Sequence, residues 1–282
     1  MSPVIEENTM SSSTSQVEVA HARLHVEQAG SGKAISMLHG FLVDSAQWDH
    51  EFSALAASHH VLRYDARGFG HSTIEPGAYA HHEDLAAVLD ACGVERTALL
   101  GCSGGAAIAL DFALAHPGRV DAMVFVGAGY WGQFASTTPA ARAFLQALGS
   151  YDAAGLIDSS LRAFTDGPRR RPEDVYADVR RRTRGMTVHN FQRESNCWRR
   201  AALDQREPLP SALERLHEIA AQTLLIVGSE DQPEAIALSE RMAANIPGAQ
   251  LLHVQGAGHH ANMEAPDAVL AEIRRWLARH AA

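Results

Sequence analysis

The sequence predicts an α/β fold, in which a mostly parallel sheet is flanked by helices on both faces. Two observations support this prediction. Short apolar runs of strand length alternate with helical patterns along most of the chain, and Gly, His, Asp or Ser bound the runs. Such alternation is typical of βαβ units. With 282 residues, 46% of them hydrophobic, the chain suffices for one large core, so we expect a single globular domain.

Six segments have the composition of strands and four have the spacing of helices. The predicted strands are 34–38, 61–64, 97–100, 122–126, 223–227 and 250–254, and the predicted helices are 78–92, 106–116, 233–245 and 266–278. Between about 132 and 219 the alternation stops in favour of a helix-like stretch rich in Arg, Asp and Glu. We therefore expect residues 17–131 and 220–282 to form the core and residues 132–219 to form a helical lid over the strand ends.

Composition and charge exclude several classes of partner. The formal net charge is -9, and the arginines are interleaved with acids apart from the run 169–171, which argues against nucleic acid. The three cysteines, Cys92, Cys102 and Cys197, lack metal-ligand spacing and cannot all pair. We expect no metal, and a reducing cytoplasm as the location.

The N-terminal stretch 1–16 is polar, serine-rich and acidic, without the basic and apolar regions of a secretory signal. We expect it to be a disordered tail. Elsewhere the longest apolar runs are interrupted by charges well short of the roughly 20 residues that a membrane span requires. The sequence therefore predicts no membrane segment.

The pentapeptide Gly101-Cys102-Ser103-Gly104-Gly105 lies between a predicted strand and a predicted helix. A serine held on a strained turn at such a junction needs glycines two residues away on either side. A Cβ at those positions would clash where the helix start crosses the strand end. Ser103 is therefore the candidate nucleophile.

Four further segments accompany this turn. They are Leu38-His39-Gly40-Phe41, the stretch 65–72, the stretch 227–231, and Gly256-Ala257-Gly258-His259 followed by Glu264-Ala265-Pro266. In this order the five segments resemble the α/β-hydrolase superfamily, in the branch that contains enol-lactonases, small esterases and cofactor-free peroxidases. The resemblance covers residues 38–266, and within it the stretch 132–219 aligns with none of the family's motifs.

A serine hydroxyl needs a base to remove its proton, and sixteen histidines compete for that role. His259 is singled out by its position after the glycine-rich turn that follows the last predicted strand, at the same sheet edge as Ser103. Its neighbour His260 is the main competitor. The resemblance implies His259, five residues before the Glu of the Glu-x-Pro segment, and leaves His260 as a candidate pocket residue.

An acid must hold the imidazole in the correct tautomer. Asp231 follows the predicted strand 223–227 by a short turn, and the order Ser103, Asp231, His259 is the chain order of this fold. Glu230 and Glu234 lie nearby as competitors. The resemblance favours Asp231 through its Gly-x-x-Asp spacing from Gly228.

The resemblance also implies an oxyanion hole made by two backbone N–H groups. One belongs to Gly104, directly after the nucleophile, and the other to Phe41, in the loop after the first strong strand. Trp48, Trp131 and Met263 are further candidates for the pocket lining, although apolar residues at such positions often belong to a core.

These residues predict a serine hydrolase that cleaves a small ester, lactone or related carbonyl compound without a cofactor. Two alternatives stay open: a cofactor-free enzyme of the same fold that transfers no acyl group (a dioxygenase, a perhydrolase or haloperoxidase, or a lyase), and a non-catalytic ligand receptor. Hydrolases that cleave carbon–carbon bonds of aromatic ring-fission products usually carry Trp directly after the catalytic His. Here that position is His260, which disfavours this subclass.

Overall fold

The structure is a computed structural model that describes residues 12–133, 137–150, 152–192 and 205–281. One sheet of eight strands runs through this part of the chain. The strands are β1 Ser13–Val19, β2 Ala22–Ala29, β3 Ala34–Leu38, β4 His60–Tyr64, β5 Thr97–Cys102, β6 Val120–Val126, β7 Gln222–Gly228 and β8 Gln250–Val254. Their spatial order is β1-β2-β4-β3-β5-β6-β7-β8. The first two pairings are antiparallel and all later ones are parallel, which confirms the predicted fold class.

Helices cover both faces of the sheet. They are α1 Asp49–Leu55, α2 His81–Ala91, α3 Gly104–Ala115, α4 Pro139–Ser150, α5 Ala153–Ser160, α6 Ala177–Gln192, α7 Pro233–Asn245, α8 Ala261–Glu264 and α9 Pro266–His280. Successive residues of β5 belong to opposite apolar clusters: Leu99 packs on the side of α2 and α3, and Leu100 on the side of α1 and α9. Because both faces of the central strands are buried, these strands are continuous apolar runs in the sequence.

The predicted tail needs a correction, because residues 13–16 belong to β1. This strand pairs with β2 over its full length, from Ser13 opposite Gln28 to Val19 opposite Ala22. The side chains of residues 13–16 are exposed, so the ladder of backbone hydrogen bonds orders the segment without apolar burial. Residues 1–11 lie outside the described part.

The segment between β6 and β7 carries helices α4, α5 and α6 and an irregular helical turn, Leu161–Asp166. We call this segment, residues 132–221, the insertion. Its described residues add no strand to the sheet. Residues 134–136, 151 and 193–204 of the expected lid, Cys197 among them, fall outside the described ranges, and the lid role stays a prediction.

Across the described ranges, every helix is too short or too polar to cross a membrane.

Candidate active site

The candidate catalytic residues follow the carboxyl ends of neighbouring parallel strands. Ser103 comes directly after β5, Asp231 comes three residues after β7, and His259 follows β8 through a glycine-rich turn. Because β5, β6, β7 and β8 are successive neighbours in the sheet, these ends meet at one edge. The sheet topology therefore brings together three residues that are far apart in sequence.

Ser103 occupies a backbone conformation that non-glycine residues rarely adopt, with φ 49° and ψ -115°. Its N–H donates to the carbonyl of Val126 at 3.1 Å, which holds the turn on the neighbouring strand. A Cβ on Gly105 would lie 2.2 Å from the carbonyl oxygen of Leu38, and one on Gly101 would lie 2.7 Å from the backbone of Gly105. Both glycines are thus required by close backbone approach, and the strained turn holds Ser103 at the start of α3.

His259 and Asp231 form a buried hydrogen-bonded pair. The ring Nδ1 lies 2.8 Å from Oδ2 and 3.0 Å from Oδ1 of Asp231, whose side chain is fully buried. A carboxylate only accepts hydrogen bonds, so Nδ1 carries the proton and Nε2 is the unprotonated nitrogen of the neutral ring. Burial lowers the pKa of His259, but the charge and hydrogen bond of Asp231, with the charge of Glu264, raise it above its ordinary value.

The competing carboxylates have other partners. Glu230 accepts a hydrogen bond from Nε of Arg169 at 2.9 Å, and Glu234 accepts one from the Thr137 N–H at 2.7 Å. Asp231 is therefore the carboxylate bonded to His259.

The two residues that carry the candidate oxyanion donors border one cavity. Phe41 and Gly104 line the same cavity as Ser103, and in the described part of the chain neither backbone N–H donates a hydrogen bond. The next residue, Leu42, has a left-handed φ of 77°, and its carbonyl accepts from Asn190 of α6 at 3.1 Å. Helix α6 of the insertion thus supports the strained loop that carries the Phe41 amide.

A cavity of about 430 Å³ is lined by Ser103, His259 and the two residues of the candidate oxyanion hole, Phe41 and Gly104. Aromatic rings form one wall. The ring centroid of Phe41 lies 5.3 Å from that of Phe69 and 5.2 Å from that of Trp131, and the centroid of Trp131 lies 5.4 Å from that of His81. The Trp131 indole N–H donates to the carboxylate of Asp111 at 2.6 Å, which fixes this ring from behind. The wall suits a flat apolar group.

His260 lines the cavity and is held from below by Gln47. Nε2 of Gln47 lies 3.1 Å from Nδ1 of His260 and 2.9 Å from Sγ of Cys102, while its Oε1 accepts from the Gly40 N–H at 2.8 Å. Because burial lowers the pKa of His260 to about 3, the ring stays neutral and its Nδ1 accepts the amide proton. One glutamine therefore connects the segments next to Phe41, Ser103 and His259.

The structure places two predicted pocket residues elsewhere. Met263 packs against Val43, Val179 and Met186 in a separate apolar cluster. Trp48 is fully buried in the core on the α1 and α9 side of the sheet. Both side chains belong to packed apolar clusters. The position of a residue in the sequence cannot by itself distinguish a side chain in such a cluster from one that lines a cavity. Trp131 and His260 lie in the lining.

Four residues that support the site were not predicted from the sequence: Gln47, Asp111, Phe164 and Asn190. Phe164 comes from the turn Leu161–Asp166, lines the cavity and lies 5.3 Å from the His259 ring. Each of these residues contacts a part of the site that lies far from it in the sequence, and no local motif predicts such a contact. The one local signal that could have identified any of them is the acid Asp111 inside the otherwise apolar helix α3.

Comparison with known proteins agrees with this architecture. A family model described as the α/β hydrolase fold matches residues 33–266. The 2-hydroxy-6-oxononadienedioate/2-hydroxy-6-oxononatrienedioate hydrolase of Comamonas testosteroni is 28% identical over 275 residues, covering 89% of each chain. The structure of Est816, an N-acyl homoserine lactone degrading enzyme, is 27% identical and covers 93% of this chain and 100% of that one with a TM-score of 0.75. The enol-lactonase of Burkholderia xenovorans LB400, 22% identical with a TM-score of 0.75 over 94% of this chain and 100% of that one, shares the fold.

Proposed function

The chain belongs to the α/β-hydrolase superfamily and is an enzyme of the hydrolase type, and from this premise we propose that it cleaves a small ester or lactone through an acyl-enzyme on Ser103. The observation that carries the proposal is the buried His259–Asp231 pair, which shares one cavity with the strained Ser103. A serine needs such an oriented base to become a nucleophile at neutral pH.

The proposed reaction has two halves. Nε2 of His259 removes the hydroxyl proton of Ser103 while Oγ attacks the substrate carbonyl, and the oxyanion accepts hydrogen bonds from the amides of Phe41 and Gly104. The imidazolium, stabilised by Asp231, then gives its proton to the leaving alkoxide as the carbon–oxygen bond breaks. His259 then removes a proton from water as the water oxygen attacks the acyl carbonyl, and it returns this proton to Oγ of Ser103 as the bond between Oγ and the acyl carbon breaks and the acid leaves. No cofactor enters either half.

The cavity favours a small neutral substrate with an apolar group. Its volume of about 430 Å³ fits a compact molecule, and the stacked rings offer a flat apolar wall. Among the described residues the lining contains two glutamates, Glu207 and Glu234, and no arginine or lysine that could pair with an anionic substrate. A lactone or an uncharged ester meets these conditions.

Hydrolysis of a carbon–carbon bond is the second candidate function. It is favoured by the similarity to the Comamonas testosteroni hydrolase, which extends over 89% of each chain. The substrate named for that enzyme is a dicarboxylate, whereas the present cavity contains two glutamates, and His260 takes the place after the base where such hydrolases usually carry Trp. We therefore rank it below ester and lactone hydrolysis.

The experiment combines labelling of the nucleophile with a substrate panel. A fluorophosphonate should label wild-type protein on the peptide that contains Ser103, and Ser103→Ala should abolish both the label and turnover of the best ester or lactone. Loss of a triad nucleophile costs several orders of magnitude in kcat. Near-ultraviolet circular dichroism of the variant controls for the fold.

The same variants separate the proposal from proton-transfer chemistry on this scaffold. A dioxygenase or lyase would need the His259–Asp231 pair as a base and Ser103 only as a hydrogen-bond donor. We expect Ser103→Ala and His259→Ala to be similarly damaging and the double variant to be little worse than either. A serine variant that keeps more than about a tenth of the wild-type rate, beside an inactive histidine variant, would move the assignment to the non-hydrolytic class.

A further inference from the structure

Three consecutive arginines in the insertion have three different environments. Arg171 pairs with Asp174 at the surface, where both side chains are largely exposed. Arg169 donates from Nε to Glu230 at 2.9 Å and from Nη2 to the carbonyl of Ser229, two residues before Asp231. Arg170 is mostly buried against Glu264, whose side chain is only 4% exposed. The run is therefore more than a charged surface patch.

Every N–H of the Arg170 guanidinium has an acceptor. Nε donates to the Asp166 carbonyl at 2.8 Å, and Nη2 donates to the Thr165 carbonyl at 2.8 Å. Nη1 donates to the Gly256 carbonyl at 2.8 Å. Nη1 also donates to Oε2 of Glu264, and Nη2 donates to its Oε1. An arginine has five such donors in a rigid plane, and a lysine has three. Arg170 therefore joins two elements in a way that a lysine cannot reproduce.

The two elements are the turn Leu161–Asp166 and the loop that carries His259. Glu264 also accepts the Gly258 N–H at 2.9 Å, directly before His259. From the other side, Phe164 of the turn lies against the His259 ring. Holding the turn and the loop together therefore fixes both the backbone beneath the imidazole and the aromatic ring that covers it.

We call the contacts of Arg170 with Glu264 and with the carbonyls of Thr165, Asp166 and Gly256 the clasp. The clasp also brings charge close to His259. The titratable groups around this ring are Asp231 from the loop after β7, Glu264 from α8 and the adjacent neutral ring of His260, and Arg170 from the insertion forms an ion pair with Glu264. The negative charge of Glu264 favours the protonated imidazole and raises the pKa of His259. Arg170 lies against this carboxylate and opposes its field.

We propose that Arg170, assisted by Arg169, is a positioning residue that locks the insertion onto the loops bearing His259 and Asp231 and shields His259 from the charge of Glu264. The catalytic consequence rests on the function proposed above. The structural and electrostatic consequences do not, since they can be measured without turnover.

The first test follows the titration of the His259 imidazole by NMR in full-length protein. Arg170→Met should raise the midpoint by about half a pH unit or more, because Glu264 loses its counter-charge. Glu264→Gln should lower it, and the double variant should return toward wild type. Arg171→Met is the matched control from the same run and should leave the midpoint unchanged.

A second test separates charge from geometry and covers the case in which Arg170→Met does not fold. Arg170→Lys keeps the charge but loses two donors, so the His259 midpoint should stay near wild type. Amide hydrogen exchange in residues 161–166 should nevertheless become at least several-fold faster than in wild type or Arg171→Met. If the enzyme has a substrate, kcat should fall in Arg170→Lys while KM changes less.

Two results would overturn the inference. One is an unshifted or lowered midpoint in Arg170→Met, or, where that variant does not fold, an unshifted midpoint in Glu264→Gln. The other is unchanged exchange of residues 161–166 in Arg170→Lys. A general loss of melting temperature without these local changes would assign Arg170 to stability alone. Failure of hydrolysis with the predicted titration shifts would instead reject the proposed function and leave the clasp in place.

Discussion

At the residue scale, two adjacent histidines have opposite proton affinities. Both rings are buried, and burial by itself lowers a histidine pKa because it disfavours the charged form. His259 has the Asp231 carboxylate within 2.8 Å, and its pKa is raised. His260 has the neutral amide of Gln47 as its partner, and its pKa falls to about 3. His260 is therefore neutral at physiological pH, whereas the carboxylate partner of His259 favours its protonated form.

This difference predicts the pH dependence of activity. The base must be neutral, so kcat/KM should rise with pH as His259 loses its proton, with a midpoint above its ordinary value of 6.5. Asp231→Asn should move the midpoint down, because the burial that remains disfavours the imidazolium. His260→Asn is the control, and it should keep the midpoint of the rise in kcat/KM within about 0.3 pH units of the wild-type value. A rise in activity that follows the titration of His260, or a wild-type midpoint below the ordinary value of 6.5, would contradict the assignment.

At the element scale, the site depends on how closely α3 crosses the end of β3. The backbone of Gly105 approaches the Leu38 carbonyl so closely that a methyl group there would sit 2.2 Å from its oxygen. We predict that Gly105→Ala destabilises the protein by about 2 kcal/mol or more, since backbone rather than a flexible side chain must move. Turnover should fall as well, because the Gly104 amide and Ser103 share this turn.

The matched control is Gly185→Ala in α6. This glycine is exposed in a helix interior and has nothing within 4 Å of the added methyl group. Alanine there should stabilise the helix by up to about 1 kcal/mol, because it restricts the unfolded chain. Urea unfolding of both variants measures the difference. Equal effects at the two positions would show that the close approach at Gly105 does not constrain the turn at Ser103.

At the scale of the whole molecule, the sheet and helices α4, α5 and α6 of the insertion bury different amounts of apolar surface. The sheet lies between two large apolar clusters, whereas these three helices pack in two small apolar clusters and also contact the core through polar side chains such as Arg170 and Asn190. Local opening costs least where little apolar area is buried. The insertion should therefore open before the sheet does.

Hydrogen exchange with mass spectrometry tests this order of opening. Amides of α4 and α5 should exchange faster than those of β3, β5 and β6, and a fluorophosphonate bound at Ser103 should slow the former more than the latter. Uniform protection of the insertion and the sheet, with or without the label, would contradict a core covered by a separate lid.

The sequence by itself determined the strands β3 and β8 and helix α7 to the residue, and the chain order of Ser103, Asp231 and His259. Buried parallel strands and the turn at Ser103 leave strong local signals: continuous apolar runs in one case, and glycines at fixed spacing in the other.

Only the tertiary structure decided that residues 13–16 form an edge strand, because backbone pairing with β2 leaves no mark on a polar run. It also decided that Met263 packs in a core cluster, that Gln47 connects three loops, and that Arg170 clasps the loop of His259. These contacts join residues tens to hundreds of positions apart, and their partners are set by packing geometry, which no periodicity or spacing along the chain records.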